Sequence, residues 1–374
     1  MAGSVTSQIE NCLKHHKSFL LDAGAGSGKT WTLIETLKTI LSNKKEYLPH
    51  TTQRVACITY TNVAKDEIIE RIEHNASVLV STIHEFLWCC IQQYQKELYY
   101  LLIDHVKMKI EKYKMGFDPS KVGTTKKHAE LKDKIDKTNN ALVELFNNVK
   151  PILYKSYPKY AKGYISHDDV IAIAVQMFMK YPLLCKFTVS CFPMILVDEY
   201  QDTQLDTIKI LMDYLMPTGK IVLGFFGDQM QKIYDDGVGN LDSYDVMVKI
   251  QKLENYRCPM SVISLLNKIR PELTQIPGKK NQIEGTCTFY YGNKINIDKF
   301  ISKYIDPRNS FNYKRLYLTH KFIAAENGYE ELYATYSRIE KAIVRNSVNQ
   351  GLCPWADFMY VVCRLLDCYN SNRT

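Results

Sequence analysis

Residues 23–30 carry the sharpest chemical signal in the sequence. They read AGAGSGKT, follow an apolar run and precede a helix-like stretch. Glycines let backbone N–H groups converge on a phosphate chain, a lysine reaches the outer phosphates, and a threonine hydroxyl ligates Mg²⁺. A glycine turn with only a structural role would not need Lys-Thr at the helix start. The predicted nucleotide-binding residues are Ala23, Gly24, Ala25, Gly26, Ser27, Gly28, Lys29 and Thr30.

Two acidic residues follow a second apolar run, at 194–197. This pattern places Asp198 and Glu199 at the carboxyl end of a buried strand, the edge at which open parallel sheets bind ligands. Acidic strand ends are usually just exposed loops. Beside a phosphate loop, however, we expect Asp198 to hold Mg²⁺ together with Thr30, and Glu199 to orient or deprotonate the attacking water.

A parallel α/β sheet is the arrangement that would position these residues. Short apolar runs alternate with helical stretches in the first 90 residues, then cease through a long helical stretch, and then return. The predicted strands lie at 18–23, 55–59, 78–82, 193–197 and 220–227. We therefore predict an α/β fold with an all-α insertion, followed by the start of a second α/β unit.

Composition and charge narrow the class of protein. The chain has 374 residues, 46% hydrophobic and 24% charged, which is ordinary for a globular protein. No apolar run approaches the roughly 20 residues of a membrane span, and no export signal is evident, so we expect a cytoplasmic protein without a membrane partner. Eleven cysteines without a CxxC pair favour reduced thiols.

The basic excess is local. The net charge is +8, and residues 105–162 alone contain 14 lysines, no arginine and 6 acidic residues. A Lys-rich stretch is most often a solvated helical face, but it can also be a surface for the phosphate backbone of nucleic acid. Both interpretations stay open at this point.

Seven segments together resemble one known family. AGAGSGKT at 23–30 and DEYQDT at 198–203 are similar to the phosphate loop and acid motif of the UvrD/Rep/PcrA-like superfamily 1A DNA helicases. The others follow in the family's order: Gln8, TYTNVA at 59–64, STIHEF at 81–86, GDQMQKIY at 227–234 and LENYRC at 253–258. The resemblance implies a RecA-like P-loop NTPase sheet. It also favours the phosphate-facing interpretation of the Lys-rich insertion.

The resemblance also implies roles around ATP. Gln8 would read the edge of the adenine, and Tyr256 would stack on it. Gln231 would contact the γ-phosphate, and Arg257 would stabilise charge on the transferred phosphoryl group. The predicted catalytic residues are Glu199, Gln231 and Arg257.

A second implied group binds single-stranded DNA. It comprises Tyr60 and Phe86 as base-stacking rings and Thr59, Asn62, Thr82 and His84 as backbone contacts. Alternatives stay open, because the two rings could be core aromatics and His84 could be a structural histidine. Tyr234 is interpreted as a packing residue.

The end of the chain departs from the family pattern. Segments resembling TxHxAKGLEF and YVAxTRA, the second of which supplies an arginine across the ATP cleft, are not found after Cys258. We expect either part of a longer helicase or a shortened relative that depends on a partner. Residues 316–321, 328–329 and 332–333 resemble a variant found in stand-alone UvrD-like proteins of bacterial defence loci such as Gabija.

Three parts are predicted: a RecA-like ATP-binding domain at 1–87 plus 165–275, a helical insertion at 88–164, and an incomplete second RecA-like domain at 276–374. The expected function is that of an ATP- and Mg²⁺-dependent 3′-to-5′ single-strand DNA translocase or helicase. A protein partner would supply a nuclease or the missing motor elements. The alternative is a regulatory module that senses nucleotide or DNA and controls a partner nuclease, for example in anti-phage defence. A small-molecule kinase is disfavoured, because the DNA-contact motifs would then be coincidences.

Overall fold

The structure is a computed structural model of the chain. It describes residues 4–117, 126–234, 237–279, 284–289, 291–292, 303, 316, 319–326, 328 and 330–337. The chain divides into two compact units, Met1–Cys287 and Thr288–Thr374. All the residues predicted above to bind nucleotide or DNA belong to the first unit.

A six-stranded parallel sheet forms the centre of the first unit. The strands of this unit in the described residues are β1 (Phe19–Ala23), β2 (Val55–Thr59), β3 (Val78–Thr82), β4 (Leu153–Tyr154), β5 (Tyr164–Ile165), β6 (Met194–Asp198), β7 (Val222–Gly227), β8 (Val248–Lys252), β9 (Glu254–Asn255) and β10 (Ile276–Pro277). The sheet order is β3-β2-β6-β7-β1-β8, and every neighbouring pair is parallel. The predicted parallel α/β sheet is confirmed.

Helices cover both faces of this sheet. They are α1 (Val5–Lys14), α2 (Lys29–Ser42), α3 (Lys44–Tyr47), α4 (Asn62–Arg71), α5 (Ile83–Ile91), α6 (Gln95–Met115), α7 (Lys126–Asn147), α8 (His167–Lys180), α9 (Pro182–Cys191), α10 (Leu205–Lys209) and α11 (Met260–Ile269). Alternate residues of each strand enter different apolar clusters. In β2, Ala56 and Ile58 pack with α5, α6, α8 and α9, whereas Val55 and Cys57 pack with α1, α2 and α4. Burial on both faces explains why the strands are continuous apolar runs in the sequence.

Strand β1 lies inside the sheet, next to strands that come much later in the chain. Phe19 is in register with Gly224 of β7 on one side and with Val248 of β8 on the other. The Leu223 N–H donates to the Ser18 hydroxyl at 3.0 Å across 205 residues of sequence. The strand that leads into the phosphate loop is therefore held from both sides.

In the described residues between β3 and β6, the regular elements are helices apart from the two-residue pair β4 and β5, which does not join the main sheet. A buried carboxylate, Asp169 at the start of α8, ties it together. Its Oδ1 lies 2.9 Å from His105 Nε2, 2.5 Å from Lys109 Nζ and 3.0 Å from the Tyr160 hydroxyl, while Oδ2 accepts from the Ser166 N–H at 2.8 Å. The long helix α6 is thereby fastened to the helix that leads back to the sheet.

Helices α8 and α9 are a bent apolar pair. Met177 and Val189 place them in the cluster on one face of the sheet. Only together do they reach the length and composition of a membrane span, and they bend by 107°. Among the described residues, no single helix is long and apolar enough to cross a membrane.

The boundary between the two compact units lies after Cys287. Strand β10 pairs with β9 and so belongs to the first unit, and the predicted domain boundary at residue 275 stays a prediction. The described part of the second unit contains the helices His320–Glu326 and Glu330–Ser337. Most of the predicted second RecA-like domain lies outside the described residues, and it stays a prediction.

Candidate functional site

The phosphate loop connects β1 to α2 at the carboxyl edge of the sheet. Gly26 and Gly28 have φ angles of +77° and +80°, which only glycine adopts readily. Gly28 caps α2 without a side-chain hydrogen bond, while Ser27 turns inward and donates its hydroxyl to the Gly24 carbonyl at 2.7 Å. Backbone N–H groups at the positive end of a helix form an anion-binding cradle.

The 253–258 segment braces this loop. Asn255 Nδ2 donates to the Ala25 carbonyl at 2.8 Å, and the Tyr256 N–H donates to the Gly26 carbonyl at 2.9 Å. Gln275 Nε2 reaches the same Ala25 carbonyl at 3.2 Å. A Cβ on Gly26 would lie 2.7 Å from Asn255 Oδ1, so close approach is a second reason for glycine there. The segment expected to hold the base is thus fastened to the loop expected to hold the phosphates.

Lys29 and Glu199 meet directly, although 170 residues separate them in sequence. Lys29 Nζ lies 3.0 Å from Glu199 Oε2, and Gln201 Nε2 donates to the same oxygen at 2.8 Å. Glu199 has a φ of +48°, in the left-handed region that residues with a Cβ seldom adopt. Strain of this kind is frequent at functional positions, where the surrounding structure enforces it.

Asp198 is a buried carboxylate next to this pair. Burial, reinforced by the Glu199 carboxylate, raises its pKa to about 7. Its Oδ1 accepts a hydrogen bond from the Glu199 N–H at 3.1 Å. Asp198 and the Thr30 hydroxyl are oxygen donors of the type that Mg²⁺ prefers, and a buried carboxylate with a raised pKa gains from a nearby cation. These residues therefore fit the ion.

Mg²⁺ that accompanies nucleotides is held by one or two protein groups plus phosphates rather than by a full protein cage. The part of the chain that the structure describes contains no cluster of three or more His, Cys, Asp or Glu residues that could hold a metal ion.

Two partly exposed aromatic rings belong to the residue after the phosphate loop and to the 253–258 segment that braces it. Trp31 and Tyr256 are 53% and 52% exposed, and Lys252 Nζ lies 5.1 and 5.9 Å from their ring centroids. Lys252 is itself buried, which lowers its pKa, and it donates to the Thr32 hydroxyl at 2.6 Å. Such flat, partly exposed faces suit a purine base. Gln8 lies on α1 and is partly buried.

The loop at residues 228–234, which follows β7, carries Gln231. Gln231 Nε2 donates to Asp228 Oδ2 at 2.6 Å, and the Met230 N–H donates to Asp228 Oδ1 at 3.1 Å. At the far end, the N–H groups of Ile233 and Tyr234 donate to Asp202 Oδ1 at 2.9 and 3.3 Å. The loop is therefore held by Asp228 at the end of β7 and by Asp202 in the short helical turn after β6.

Tyr60 and Tyr234 form an exposed aromatic pair. Their ring centroids are 4.8 Å apart with a tilt of 31°, and the residues are 42% and 40% exposed. Tyr60 directly follows β2, and Tyr234 ends the 228–234 loop. Tyr234 therefore packs against Tyr60 and is also partly exposed.

Two of the predicted DNA contacts are buried in this structure. Phe86 is fully buried, and its ring packs at 68° against Phe192, with centroids 5.5 Å apart. The helix α5 begins at Ile83, so Phe86 lies one turn inside it and faces the core. Thr59 is 2% exposed, because it is the last residue of a strand inside the sheet. Neither side chain can reach a nucleic acid in this conformation.

The other predicted DNA contacts lie at or near the surface. Asn62 is exposed at the start of α4. Thr82 caps α5, since its hydroxyl accepts from the Glu85 N–H at 3.4 Å. Burial, with His167 close by, lowers the pKa of His84 to about 4, so its ring is neutral at pH 7. A neutral His84 can donate a hydrogen bond to a phosphate but cannot form an ion pair with it.

Arg257 and the Lys-rich insertion complete the candidate residues. Arg257 is exposed, and among the described residues its guanidinium has no hydrogen-bond or ion-pair partner. Several lysines of the insertion pair locally, such as Lys114 with Glu111 and Lys137 with Asp133. The interpretation of the insertion as a phosphate surface stays a prediction.

Sequence reasoning did not single out Trp31, Lys252 or Arg270, and it interpreted Tyr234 as a packing residue. Trp31 directly follows the Lys-Thr pair, so its position was a usable signal. Tyr234 ends a recognised motif and could have been read as exposed. Lys252 and Arg270 stand in no motif, and only the fold brings them to the strand ends.

A parallel sheet with a phosphate loop after β1, paired acids after β6 and a glutamine loop after β7 defines a P-loop NTPase. The model of the UvrD/REP helicase N-terminal domain matches residues 5–244. The chain belongs to the UvrD/REP helicase family, which confirms the resemblance inferred from the motifs.

Individual relatives agree with this assignment. The chain is 31% identical to Gabija protein GajB of Bacillus cereus strain HuB5-5, over 89% of this chain and 59% of that protein. It is 25% identical to DNA helicase II of Rickettsia typhi, over 71% of this chain and 44% of that protein. It is also 25% identical to ATP-dependent DNA helicase PcrA of Staphylococcus epidermidis, over 67% and 37%. The matches thus span between about a third and three fifths of the length of these relatives.

Proposed function

We propose that this chain is the ATP-hydrolysing part of a DNA helicase that moves along single-stranded DNA in the 3′-to-5′ direction. One observation carries the proposal: the phosphate loop follows β1, the 228–234 loop follows the neighbouring strand β7, and the second loop ends at Tyr234, which pairs with Tyr60 at the same edge of the sheet. Gln231 in that loop is held by Asp228 at the end of β7. The direction of movement rests on the family alone.

ATP would bind with its phosphates on residues 23–30 and its base between Trp31 and Tyr256. Lys29 pairs with Glu199 in this structure, and an incoming γ-phosphate would compete for that lysine. Glu199 would then be free to accept a proton from the attacking water. Gln231 and Arg257 would contact the γ-phosphate and the charge that develops on it.

Thr30 and Asp198 would hold Mg²⁺. When bound, the ion neutralises charge on the phosphate oxygens. The raised pKa of Asp198 reflects how strongly this buried carboxylate depends on a nearby positive charge.

Single-stranded DNA would lie on the surface formed by Tyr60 and Tyr234. Aromatic stacking accepts any base, which suits a protein that must move along arbitrary sequence. Asn62, Thr82 and His84 would contact the backbone nearby. Contacts of this kind position a strand without reading its sequence.

A second candidate is a regulatory module that controls a partner nuclease. It is favoured by the identity to GajB, which exceeds the identity to PcrA and extends over more of this chain. In that case ATP and DNA would bind at the same residues, and the outcome would be activation or release of a partner protein rather than strand separation.

The direct test is ATP turnover with and without single-stranded DNA. We expect DNA to stimulate turnover, and we expect Glu199→Gln to lower kcat by about 10²- to 10⁴-fold, the usual contribution of a positioned base, with nucleotide affinity retained. Glu46→Gln, the same substitution at an exposed residue of α3, is the matched control. Undiminished turnover by Glu199→Gln would refute the assignment of the base.

A strand-displacement assay separates the two candidates. We expect the 374-residue chain alone to unwind DNA poorly, because the family motifs that complete the ATP cleft are not found after Cys258. DNA-stimulated turnover without unwinding, together with ATP-dependent control of a nuclease added from the same genome, would favour the regulatory module. Efficient unwinding by the purified chain would contradict the expectation that it depends on other motor elements.

A further inference from the structure

Arg270, the residue directly after α11, bridges two strand ends beneath the candidate ATP site. Its side chain is 12% exposed. One terminal nitrogen donates to Asp228 Oδ1, and the other lies 3.4 Å from Asp22 Oδ1. Asp22 is on β1 and Asp228 directly follows β7, so one guanidinium joins neighbouring strands. Its Nε also donates to Glu272 at 3.2 Å, which fixes the plane of the group.

The same carboxylate that Arg270 binds also holds Gln231. Asp228 is 2% exposed on its side chain, and its two oxygens receive Arg270 on one side and Gln231 Nε2 on the other. An amide nitrogen has two N–H groups, so Gln231 keeps one to offer to a phosphate oxygen. The position of that amide is therefore set by Asp228, and the position of Asp228 is set by Arg270.

Charge gives this bridge its strength. Burial raises the pKa of Asp22, the Arg270 guanidinium opposes that rise, and the neighbouring Asp228 adds to it. Without the arginine, the partly buried carboxylate of Asp22 and the buried carboxylate of Asp228 would repel each other at adjacent strand ends. Such a pair relaxes by moving apart or by taking up a proton, and either change releases Gln231.

Arg270 also connects the 253–258 segment to the 228–234 loop. The helix α11 starts shortly after Arg257, and it ends at the residue before Arg270. The segment that presents Tyr256 and Arg257 is therefore connected, through one helix, to the carboxylate that orients Gln231.

We propose that Arg270 is a positioning residue that lets the site distinguish a nucleoside triphosphate from a diphosphate. It contacts no phosphate itself; it holds Asp228 so that the Gln231 amide meets the γ-phosphate. The proposal rests on the proposed function in one respect, the placement of the γ-phosphate near Gln231.

The test compares equilibrium affinities for Mg²⁺-ADP and for the non-hydrolysable Mg²⁺-AMP-PNP, read by competition against a fluorescent nucleotide. We expect Arg270→Gln to reduce the preference for AMP-PNP over ADP by about fivefold or more, with ADP affinity changed less than twofold. Arg270→Lys keeps one charged contact to Asp228 and should restore part of the preference. Arg54→Gln, which removes a partly buried arginine from the opposite edge of the sheet, is the matched control.

A second variant covers the case in which Arg270→Gln does not fold. The double substitution Asp22→Asn with Arg270→Gln removes one of the two repelling carboxylates, and it should fold while still failing to prefer AMP-PNP. A preference within twofold of the wild type in either variant would overturn the proposal. Parallel loss of affinity for both nucleotides would also overturn it, because that pattern indicates a purely structural role.

The wild-type chain separates this inference from the proposed function. If it prefers AMP-PNP but DNA does not stimulate turnover, the helicase proposal fails and the role of Arg270 stands. If it binds ADP and AMP-PNP equally, Gln231 makes no γ-phosphate contact and the inference fails with that assignment.

Discussion

An aromatic side chain in these motifs either offers its ring to a ligand or packs in the core, and its burial distinguishes the two roles. Tyr60 and Phe86 are both aromatic residues close to strand ends in motifs that resemble DNA contacts. One is 42% exposed, and the other is fully buried against Phe192. The exposed ring is available to a ligand, whereas the buried ring contributes apolar contact area to the core.

This contrast gives a paired prediction. Phe86→Ala should lower the free energy of unfolding by about 3–5 kcal/mol, since it leaves a cavity in the core. Tyr60→Ala should change it by about 0.5 kcal/mol or less, as expected for a surface position, while weakening single-stranded DNA binding by about 1–3 kcal/mol for the lost stacking. Urea unfolding and fluorescence anisotropy measure the two effects. Normal stability of Phe86→Ala together with weakened DNA binding would reverse the assignment.

At the scale of elements, the structure depends on the ends of strands and helices being held by charge and by buried hydrogen bonds. Asp169 at the start of α8 is the clearest case outside the ATP site. Hydrogen bonds and charge from His105 and Lys109 outweigh its burial and hold its pKa well below the usual carboxyl range. An ionised, buried carboxylate therefore fastens α6 to α8, the helix that leads back to the sheet.

The sign of this shift predicts a pH dependence. A carboxyl whose pKa is lower in the folded state stabilises the fold above its unfolded pKa, and this contribution is lost as the pH falls toward the folded value. Asp169→Asn should cost about 3–5 kcal/mol at pH 7, because it leaves Lys109 without its buried partner. The difference between variant and wild type should shrink below about pH 4.

Urea unfolding at pH 7 and pH 3.5 tests this expectation. Asp168→Asn is the matched control, because Asp168 is the exposed neighbour on the same helix turn. A stability difference that is equal at both pH values would show that the ionisation of Asp169 does not contribute.

How well each feature could be predicted depends on whether its residues are consecutive in the sequence or far apart in it. Residues 23–30 and 194–203 are consecutive segments that follow apolar runs, so the parallel sheet was predicted correctly, and the nucleotide- and metal-binding roles of these residues stay predictions. The burial of Phe86 depends on where α5 begins and on what packs against it, which no local pattern encodes. Arg270 is 248 positions from Asp22 and 42 positions from Asp228 in the sequence, so only the folded structure reveals the bridge between them.

At the scale of the whole molecule, the positive charge is concentrated on the insertion. Lys112, Lys155 and Lys159 are exposed and form no ion pair with another described residue. If a DNA strand binds along this surface, the lysines displace counterions from the DNA. Affinity should then fall steeply with salt.

Replacing these three lysines with glutamine should therefore weaken the salt dependence. For single strands the slope of log K against log salt is about −0.7 per phosphate contact, so the triple variant should lose roughly 2 units of slope. Lys14, Lys44 and Lys45, which are exposed elsewhere on the first unit, give a control with equal loss of charge. Equal slopes for the two triple variants would indicate that the insertion surface does not contact DNA.

The interior position of β1 also bears on how the chain is made. A ribosome releases the phosphate loop early, but β1 cannot gain its partner β7 until about 200 further residues have been synthesised. At about 5–20 residues per second this wait lasts roughly 10 to 40 s. During it the apolar β1, β2 and β3 have no completed sheet to join, so the nascent N-terminal third is the stretch most in need of chaperone protection. The ATP site is encoded first and is among the last parts of the first unit to form.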